Sequence, residues 1–116
     1  MNETMNETIQ NIDTSIEFVC TITTNKRTIE LEMESYQQCN ETVEMDVPDN
    51  ISKFVGSTVT GCCEIFTDGG LATFLMGTST GDLNIYCYND HNGDYCHAVT
   101  LSIDGELVDE VATRPL

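Results

Sequence analysis

The feature that most constrains how this chain folds is a repeated alternation of apolar and polar residues with a period of two. In the first half of the chain it occurs in three runs, residues 16–23, 29–34 and 43–47. Successive side chains of a β-strand point to opposite faces, so this pattern predicts half-buried strands whose outer faces carry acidic and polar residues. No segment has the helical spacing, in which apolar residues lie three and four positions apart.

Turn-forming residues separate four further strand-like runs in the second half, CCEIFTD, LATFLMG, DLNIYCY and HAVTLSI. Gly and Asn adopt the left-handed backbone of tight hairpins, so the Asp-Gly and Asn-Gly pairs around these runs favour antiparallel turns. Asp104-Gly105 predicts one more hairpin, into ELVDEV. Short strands punctuated this often are typical of an all-β sandwich or barrel.

The length of 116 residues suits one domain with one core. The first 15 residues contain a tandem MNET repeat and few apolar side chains to bury. We therefore predict a flexible N-terminal tail over residues 1–15 and a single antiparallel β-sandwich domain over residues 16–116.

The charge of the chain excludes some classes of partner. Twenty acidic residues against four basic ones give a net charge of −16, which repels phosphate backbones and anionic membranes. Nucleic acid is therefore not an expected partner, whereas cations and basic protein surfaces are favoured. No apolar segment is long enough to span a bilayer and no signal peptide is evident, so we expect no membrane insertion and a mature chain with an added initiating methionine.

Six cysteines in so short a chain predict a disulfide framework formed in an oxidising compartment. Their spacings do not fit a zinc site. Cys87 and Cys96 flank a predicted hairpin tip and are the easiest pair to propose, while the other connectivities stay open. Adjacent strand residues face apart, so Cys62 and Cys63 are expected to bond different neighbours rather than form a redox centre. The six predicted disulfide residues are Cys20, Cys39, Cys62, Cys63, Cys87 and Cys96.

Four asparagines lie in glycosylation sequons, Asn2, Asn6, Asn40 and Asn50. Sequons beside a disulfide framework predict a glycoprotein of the eukaryotic secretory route, so we expect the protein to be secreted and extracellular.

The centre of the chain resembles the junction between two Greek-key motifs of βγ-crystallin-like secreted proteins of microbial and fungal type. The stretch CNETVEMDVPDNISKF precedes GCCEIFTDGG after a short spacer. In that family an (N/D)(N/D)xx(S/T)S loop closes one motif, and a strand with an aromatic residue before an acidic one opens the next. The resemblance covers about residues 16–103 and implies a β-sandwich of two Greek-key motifs.

The same resemblance implies calcium binding at two loops, PDNISK at residues 48–53 and NDHNGD at residues 89–94. Calcium prefers carboxylate and carbonyl oxygens, and short Asp, Asn and Ser side chains supply them. Pro48 and Lys53 depart from the loop pattern, so the expected affinity is weak. The alternative is that these residues only form turns, by hydrogen-bonding their own backbone. The candidate metal ligands are Asp49, Ser52, Asn89, Asp90 and Asp94.

Three other groups of residues have a functional and a structural interpretation. The glutamates at positions 30, 32 and 34 suit a solvated strand face better than half of a glycosidase carboxylate pair. Cys96 and His97 are neighbours on a strand and face apart, which does not suit a nucleophile and its base. Tyr86, Tyr88 and Tyr95 with His91 form either a recognition patch or ordinary cross-strand packing.

These patterns predict a non-enzymatic secreted interaction protein, an effector, toxin-like or surface-associated protein, with weak calcium binding and an extracellular protein or cell-surface partner. An immunoglobulin-like adhesion or receptor-binding module is the first alternative, and its two halves need not repeat. A small secreted hydrolase is less favoured, because it requires a cleft lined by opposed carboxylates.

Overall fold

The computed structural model describes residues 6–34, 41–90 and 96–115. These residues form nine β-strands and one short 3₁₀ helix, η1 (Ile51–Phe54). The strands are β1 (Ile9–Asp13), β2 (Val19–Thr24), β3 (Thr28–Met33), β4 (Thr42–Asp46), β5 (Val59–Asp68), β6 (Leu71–Thr78), β7 (Gly81–Asp90), β8 (Ala98–Ile103) and β9 (Glu106–Ala112). The predicted all-β class is confirmed.

The strands form two antiparallel sheets, in the orders β1-β2-β3-β8-β9 and β4-β7-β6-β5. The first sheet takes strands from both ends of the chain, and the second takes the middle. In the second sheet, η1 connects the two edge strands β4 and β5. The sheets therefore do not divide the chain into a first and a second half.

The period-two alternation explains which side chains enter the core. In β2 the buried positions are Cys20, Ile22 and Thr24, and in β7 they run from Leu83 through Ile85 to Cys87 and Asn89. Fully burying a leucine or isoleucine side chain, such as Leu83 or Ile85, stabilises the fold by about 1.5–3 kcal/mol. The buried apolar side chains of the strands belong to one core cluster, which also includes Phe54 of η1.

The hairpin predicted at Asp104-Gly105 is confirmed, and it joins β8 to β9. Both residues have a positive φ, 53° at Asp104 and 83° at Gly105. Two consecutive left-handed residues give the type I′ turn, whose twist matches that of paired strands.

The predicted flexible tail over residues 1–15 is wrong for residues 9–13. These residues form β1, which pairs with β2, and Ile9 is 1% exposed. The register shifts between Ile9 and Asn11, so Ile9 and Ile12 both pack against the core although they are three positions apart. A β-bulge of this kind conceals a strand from a search for strict alternation. Residues 1–5 lie outside the described ranges.

Candidate functional site

An open groove of about 750 Å³ lies between β4 and the segment that joins β1 to β2. Thr14 and residues 16–19 contribute one wall, and residues 42–45 with Val47 contribute the other. Most of its lining side chains are apolar, and Glu17 and Glu44 are its only charged ones within the described part of the chain. The groove is therefore a mixed surface, in which apolar side chains lie among threonine hydroxyls and two carboxylates.

Local backbone geometry explains how residues 16–18 come to line this groove. Val19 N–H donates a hydrogen bond to the Ile16 carbonyl at 3.1 Å, which closes a turn before β2. Phe18 has a φ of 63°, a left-handed conformation that is uncommon for a bulky residue. Its carbonyl accepts from Met33 N–H at 3.0 Å, which holds this turn against β3. Ile16 remains 64% exposed beside the groove.

Strand β4 forms the opposite wall and is an edge strand. It pairs with β7 from Thr42↔Asp90 to Asp46↔Tyr86, and no described strand pairs with its outer side. Glu44 is exposed, whereas Met45 is half-buried and packs against the core. An edge strand next to a groove lined partly by apolar side chains is a surface on which another extended segment is able to pair.

Apart from the groove, four polar side chains meet inside the protein and connect the two sheets. We call them the polar cluster. Glu41 precedes β4, Asn89 belongs to β7, His97 precedes β8 and Thr113 follows β9. One carboxylate oxygen of Glu41, Oε2, lies 2.8 Å from His97 Nε2 and accepts from Asn89 Nδ2, also at 2.8 Å. Thr113 Oγ1 donates to Asn89 Oδ1 at 2.6 Å and accepts from His97 N–H at 3.1 Å.

The chemistry of this cluster is limited by its burial. A histidine beside a carboxylate resembles the pairs that transfer protons in active sites. The side chains of Glu41 and His97, however, have no exposed surface. A substrate atom does not reach them in this conformation, so the arrangement acts as a hydrogen-bonded connection between the sheets.

The structure places the candidate calcium ligands apart. Asp49 and Ser52 are exposed near η1, beyond the end of β4, while Asp90 is exposed at the end of β7 opposite Thr42. These two groups flank the length of β4, roughly 13 Å at 3.3 Å per residue. Asp94 lies outside the described residues.

Of the four described candidate ligands, only Asn89 is buried, and both polar atoms of its amide are already hydrogen-bonded within the polar cluster. Within residues 6–34, 41–90 and 96–115, no three His, Cys, Asp or Glu side chains are arranged to hold a metal ion. Calcium binding stays a prediction.

The cysteines occupy three kinds of environment. Cys20 and Cys87 are each 1% exposed in the core, Cys62 is exposed, and Cys63 is half-buried against the core. Cys62 and Cys63 therefore face apart, as the strand geometry predicts. Burial raises the pKa of Cys20 and Cys63 to about 11 and that of Cys87 to about 12.

Disulfide stabilisation is not shown by the structure, in which Cys20, Cys62, Cys63 and Cys87 are thiols. The predicted bond between Cys87 and Cys96 is not seen, because Cys87 points into the core whereas Cys96 is exposed. Cys39 lies outside the described residues.

The remaining candidate residues lie on the surface or outside the described ranges. Among the sequon residues, Asn6 and Asn50 are exposed, and those at positions 2 and 40 are not described. Tyr86 and Tyr88 are half-buried and lie opposite Asp46 and Glu44 of β4. Positions 91 and 95, which complete the predicted aromatic patch, are not described.

Two residues of the predicted glutamate ladder, Glu30 and Glu32, lie on β3, and Glu34 follows the end of this strand. Glu30 is half-buried, whereas Glu32 and Glu34 are exposed. Glu34 Oε1 accepts from Ala98 N–H at 2.8 Å, next to the start of β8. These positions fit the interpretation of a largely solvated strand face.

The sequence did not predict a role for Glu41 or Thr113, and it did not predict the groove. Glu41 is the middle residue of a sequon and Thr113 follows an acidic strand, so neither position carries a local signal of burial. Their partners are 48 to 56 residues away for Glu41 and 16 to 24 residues away for Thr113. Only the pairing of the strands brings them together.

Comparisons with protein-family models, with curated proteins and with solved structures found no match for this chain. Among the described residues, no helix has the length and apolar composition needed to cross a membrane.

Proposed function

We propose that this chain is a secreted, non-enzymatic interaction protein that binds an extended, basic segment of a partner protein along β4. The observation that carries the proposal is the groove, in which an edge strand lies beside exposed apolar side chains and the charged lining residues of the described chain are both acidic.

Strand addition explains how such a surface binds. A partner segment pairs its main chain with the outer side of an edge strand, and alternate side chains enter the adjoining pockets. Here the side chains on one face of the added strand meet Ile16, Phe18 and Met45 in the groove. Main-chain hydrogen bonds supply affinity, and the apolar contacts supply preference for a hydrophobic face.

Charge identifies the other face of the partner segment. Glu17 and Glu44 favour lysine or arginine at the positions beside them, and like charges there are disfavoured. The net charge of −16 also attracts basic segments from a distance, which raises the rate of association. We therefore expect a segment that alternates apolar and basic residues.

The two carboxylates of the groove suit recognition better than hydrolysis. A glycosidase acid is kept protonated by apolar surroundings, whereas Glu17 and Glu44 are both exposed to solvent. The buried pair of Glu41 and His97 is out of reach of a substrate.

The Greek-key topology, the glycosylation, the disulfide bonds and the calcium binding predicted from the sequence are part of the same proposal. The order β4-β7-β6-β5, with three consecutive strands and a fourth beside the last of them, supports one Greek-key motif of the kind found in crystallin-like domains. Exposed sequon residues at Asn6 and Asn50 fit a glycosylated, extracellular chain, in which disulfide bonds stabilise the sandwich. Calcium bound by the exposed residues Asp49 and Asp90 would serve as a structural ligand.

A short synthetic peptide tests the groove. The probe is a fluorescent heptapeptide of alternating lysine and valine, and its counterpart has glutamate in place of lysine. Fluorescence anisotropy should show that the protein binds the lysine peptide and does not bind the glutamate peptide. Glu44→Lys should weaken this binding by at least ~10-fold, since like charges oppose each other at the site.

Glu110→Lys is the matched control, because Glu110 is exposed on β9, at the opposite edge of the first sheet. It changes the net charge by the same amount and should leave the affinity within about twofold of wild type. Equal weakening by both variants, or equal binding of both peptides, would contradict the proposal.

A further inference from the structure

We propose that Cys20 and Cys87 form a disulfide bond that joins the two sheets through the core. Cys20 lies on β2 of the first sheet and Cys87 on β7 of the second, and each is 1% exposed. Both occupy inward-facing positions of their strands, within the same core cluster. This inference is independent of the binding function proposed above.

Cys20 and Cys87 enter the same core from opposite sheets. Burial is the main reason that the pKa of Cys87 is raised, and the negative charge of the Cys20 thiolate is the other. Facing sheets ordinarily pack about 10 Å apart, whereas a disulfide requires Cα atoms within about 7 Å. Ala72, which lies opposite Cys87 on β6, is buried and has a small side chain, and the proposed bond requires the sheets to approach more closely beside it.

The other described thiols are placed differently. Cys62 is exposed on β5, and its Sγ lies 3.7 Å from a carboxylate oxygen of Glu64. Cys63 is half-buried, and its pKa responds to the charges of Arg27 and Glu7 rather than to a core thiol. Cys20 and Cys87 are therefore the two fully buried thiols of the described chain.

The oxidation proceeds by two thiol–disulfide exchanges with a small disulfide such as glutathione disulfide. The Cys20 thiolate attacks one sulfur of the oxidant, which forms a mixed disulfide and releases one glutathione thiolate. The Cys87 thiolate then attacks Cys20 Sγ, which forms the Cys20–Cys87 bond and releases the second. The two electrons reduce the oxidant, and the two thiol protons end on the two released glutathione molecules.

Burial of the two thiols determines the stage of folding at which this bond forms. Thiolates are the reacting species, and burial disfavours the thiolate at both positions. The exchange therefore takes place before the core closes. Residues 21–86 lie between the two cysteines, and constraining so long a loop in the unfolded chain gives a large stabilisation.

Peptide mapping of the whole chain tests the connectivity. The reduced, denatured protein is refolded with reduced and oxidised glutathione, free thiols are alkylated, and the product is digested with Asp-N and trypsin without reduction. Cleavage places Cys20 alone in residues 13–26 and Cys87 alone in residues 82–89. We expect these two fragments to appear as one linked species that separates on reduction.

Thermal unfolding of variants supplies a second readout. Oxidation should raise the melting temperature of the wild type by roughly 10 °C. Cys20→Ala, Cys87→Ala and the double variant should all lose this gain equally, while Cys62→Ala should keep it. Linkage of Cys20 or Cys87 to another cysteine, alkylation of both after refolding, or a gain that persists in the double variant would overturn the proposal.

Discussion

Glu7 holds the guanidinium group of Arg27 through two hydrogen bonds, 2.7 Å to Nε and 3.1 Å to Nη2. Thr24 Oγ1 donates to the same carboxylate at 2.8 Å. Thr8 N–H and the Asn6 carbonyl are bonded to the side chain of Asn25 in the same turn. The residues just before β1 are thereby attached to the turn between β2 and β3.

Removal of residues 1–14 should destabilise the protein. The deletion removes the burial of Ile9 and Ile12, the pairing of β1 with β2 and the ion pair of Glu7 with Arg27. At about 1.5–3 kcal/mol for a fully buried aliphatic side chain, the melting temperature should fall by roughly 10 °C. Circular dichroism measures it, with removal of residues 1–5 as the control. An unchanged melting temperature would show that β1 is not part of the stable fold.

The ion pair of Glu7 gives the stability a defined pH dependence. Partial burial alone raises the pKa of Glu7, but hydrogen bonds from Arg27 and Thr24 and the charge of Arg27 outweigh it and hold the pKa below its ordinary value of 4.5. The stabilisation is therefore fully present above that value and is lost as the pH falls through the lowered pKa.

Glu7→Gln should accordingly lower the free energy of unfolding at neutral pH by up to about 1 kcal/mol. The difference from wild type should shrink as the pH falls below 4.5. Urea unfolding at several pH values measures it, and Glu17→Gln, at an exposed glutamate, is the control. A difference that grows on acidification would show that the pKa of Glu7 is raised instead.

Two neighbouring residues of β7 test the buried polar cluster. Asn89→Ala removes a hydrogen-bond donor to Glu41 and the acceptor of Thr113, so it should cost about 2–4 kcal/mol. Asp90→Ala changes an exposed residue and should stay within about 0.5 kcal/mol. Denaturant unfolding measures both. Equal effects of the two substitutions would mean that the cluster does not hold the sheets together.

Calcium binding at Asp49 and Asp90 predicts stabilisation that grows with the logarithm of the free calcium concentration, with a dissociation constant of ~0.1–1 mM. Magnesium should stabilise less, because its octahedral geometry suits such loops poorly. Melting is compared in calcium, magnesium and sodium at equal ionic strength, for wild type, Asp49→Ala and Asp90→Ala. Equal shifts in the three salts, or a calcium shift that survives both substitutions, would reduce these loops to turns.

The sequence predicts strands well where strict alternation is present. Cys20 and Ile22 in β2 and Leu83 and Ile85 in β7 face the core as their spacing predicts, and the hairpin at Asp104 forms where Asp-Gly indicates it. Strand β1 is not predicted from the sequence, because its bulge breaks the period of two.

The order in which the strands pair and the candidate sites cannot be predicted in this way, because both depend on contacts between residues that are distant in the chain. Glu41 and His97 meet only when β4 pairs with β7 and β8 pairs with β3. The groove likewise requires Ile16 and Met45 to lie on facing walls. Local periodicity carries no information about either arrangement.

Amide chemical shifts during a titration with the lysine–valine heptapeptide test the central claim, that β4 and its groove form the binding surface. The account predicts the largest changes at residues 42–47 and 16–19, with the amides of β9 nearly unchanged. Changes concentrated on β9 or β5, or spread evenly over the acidic surface, would contradict it.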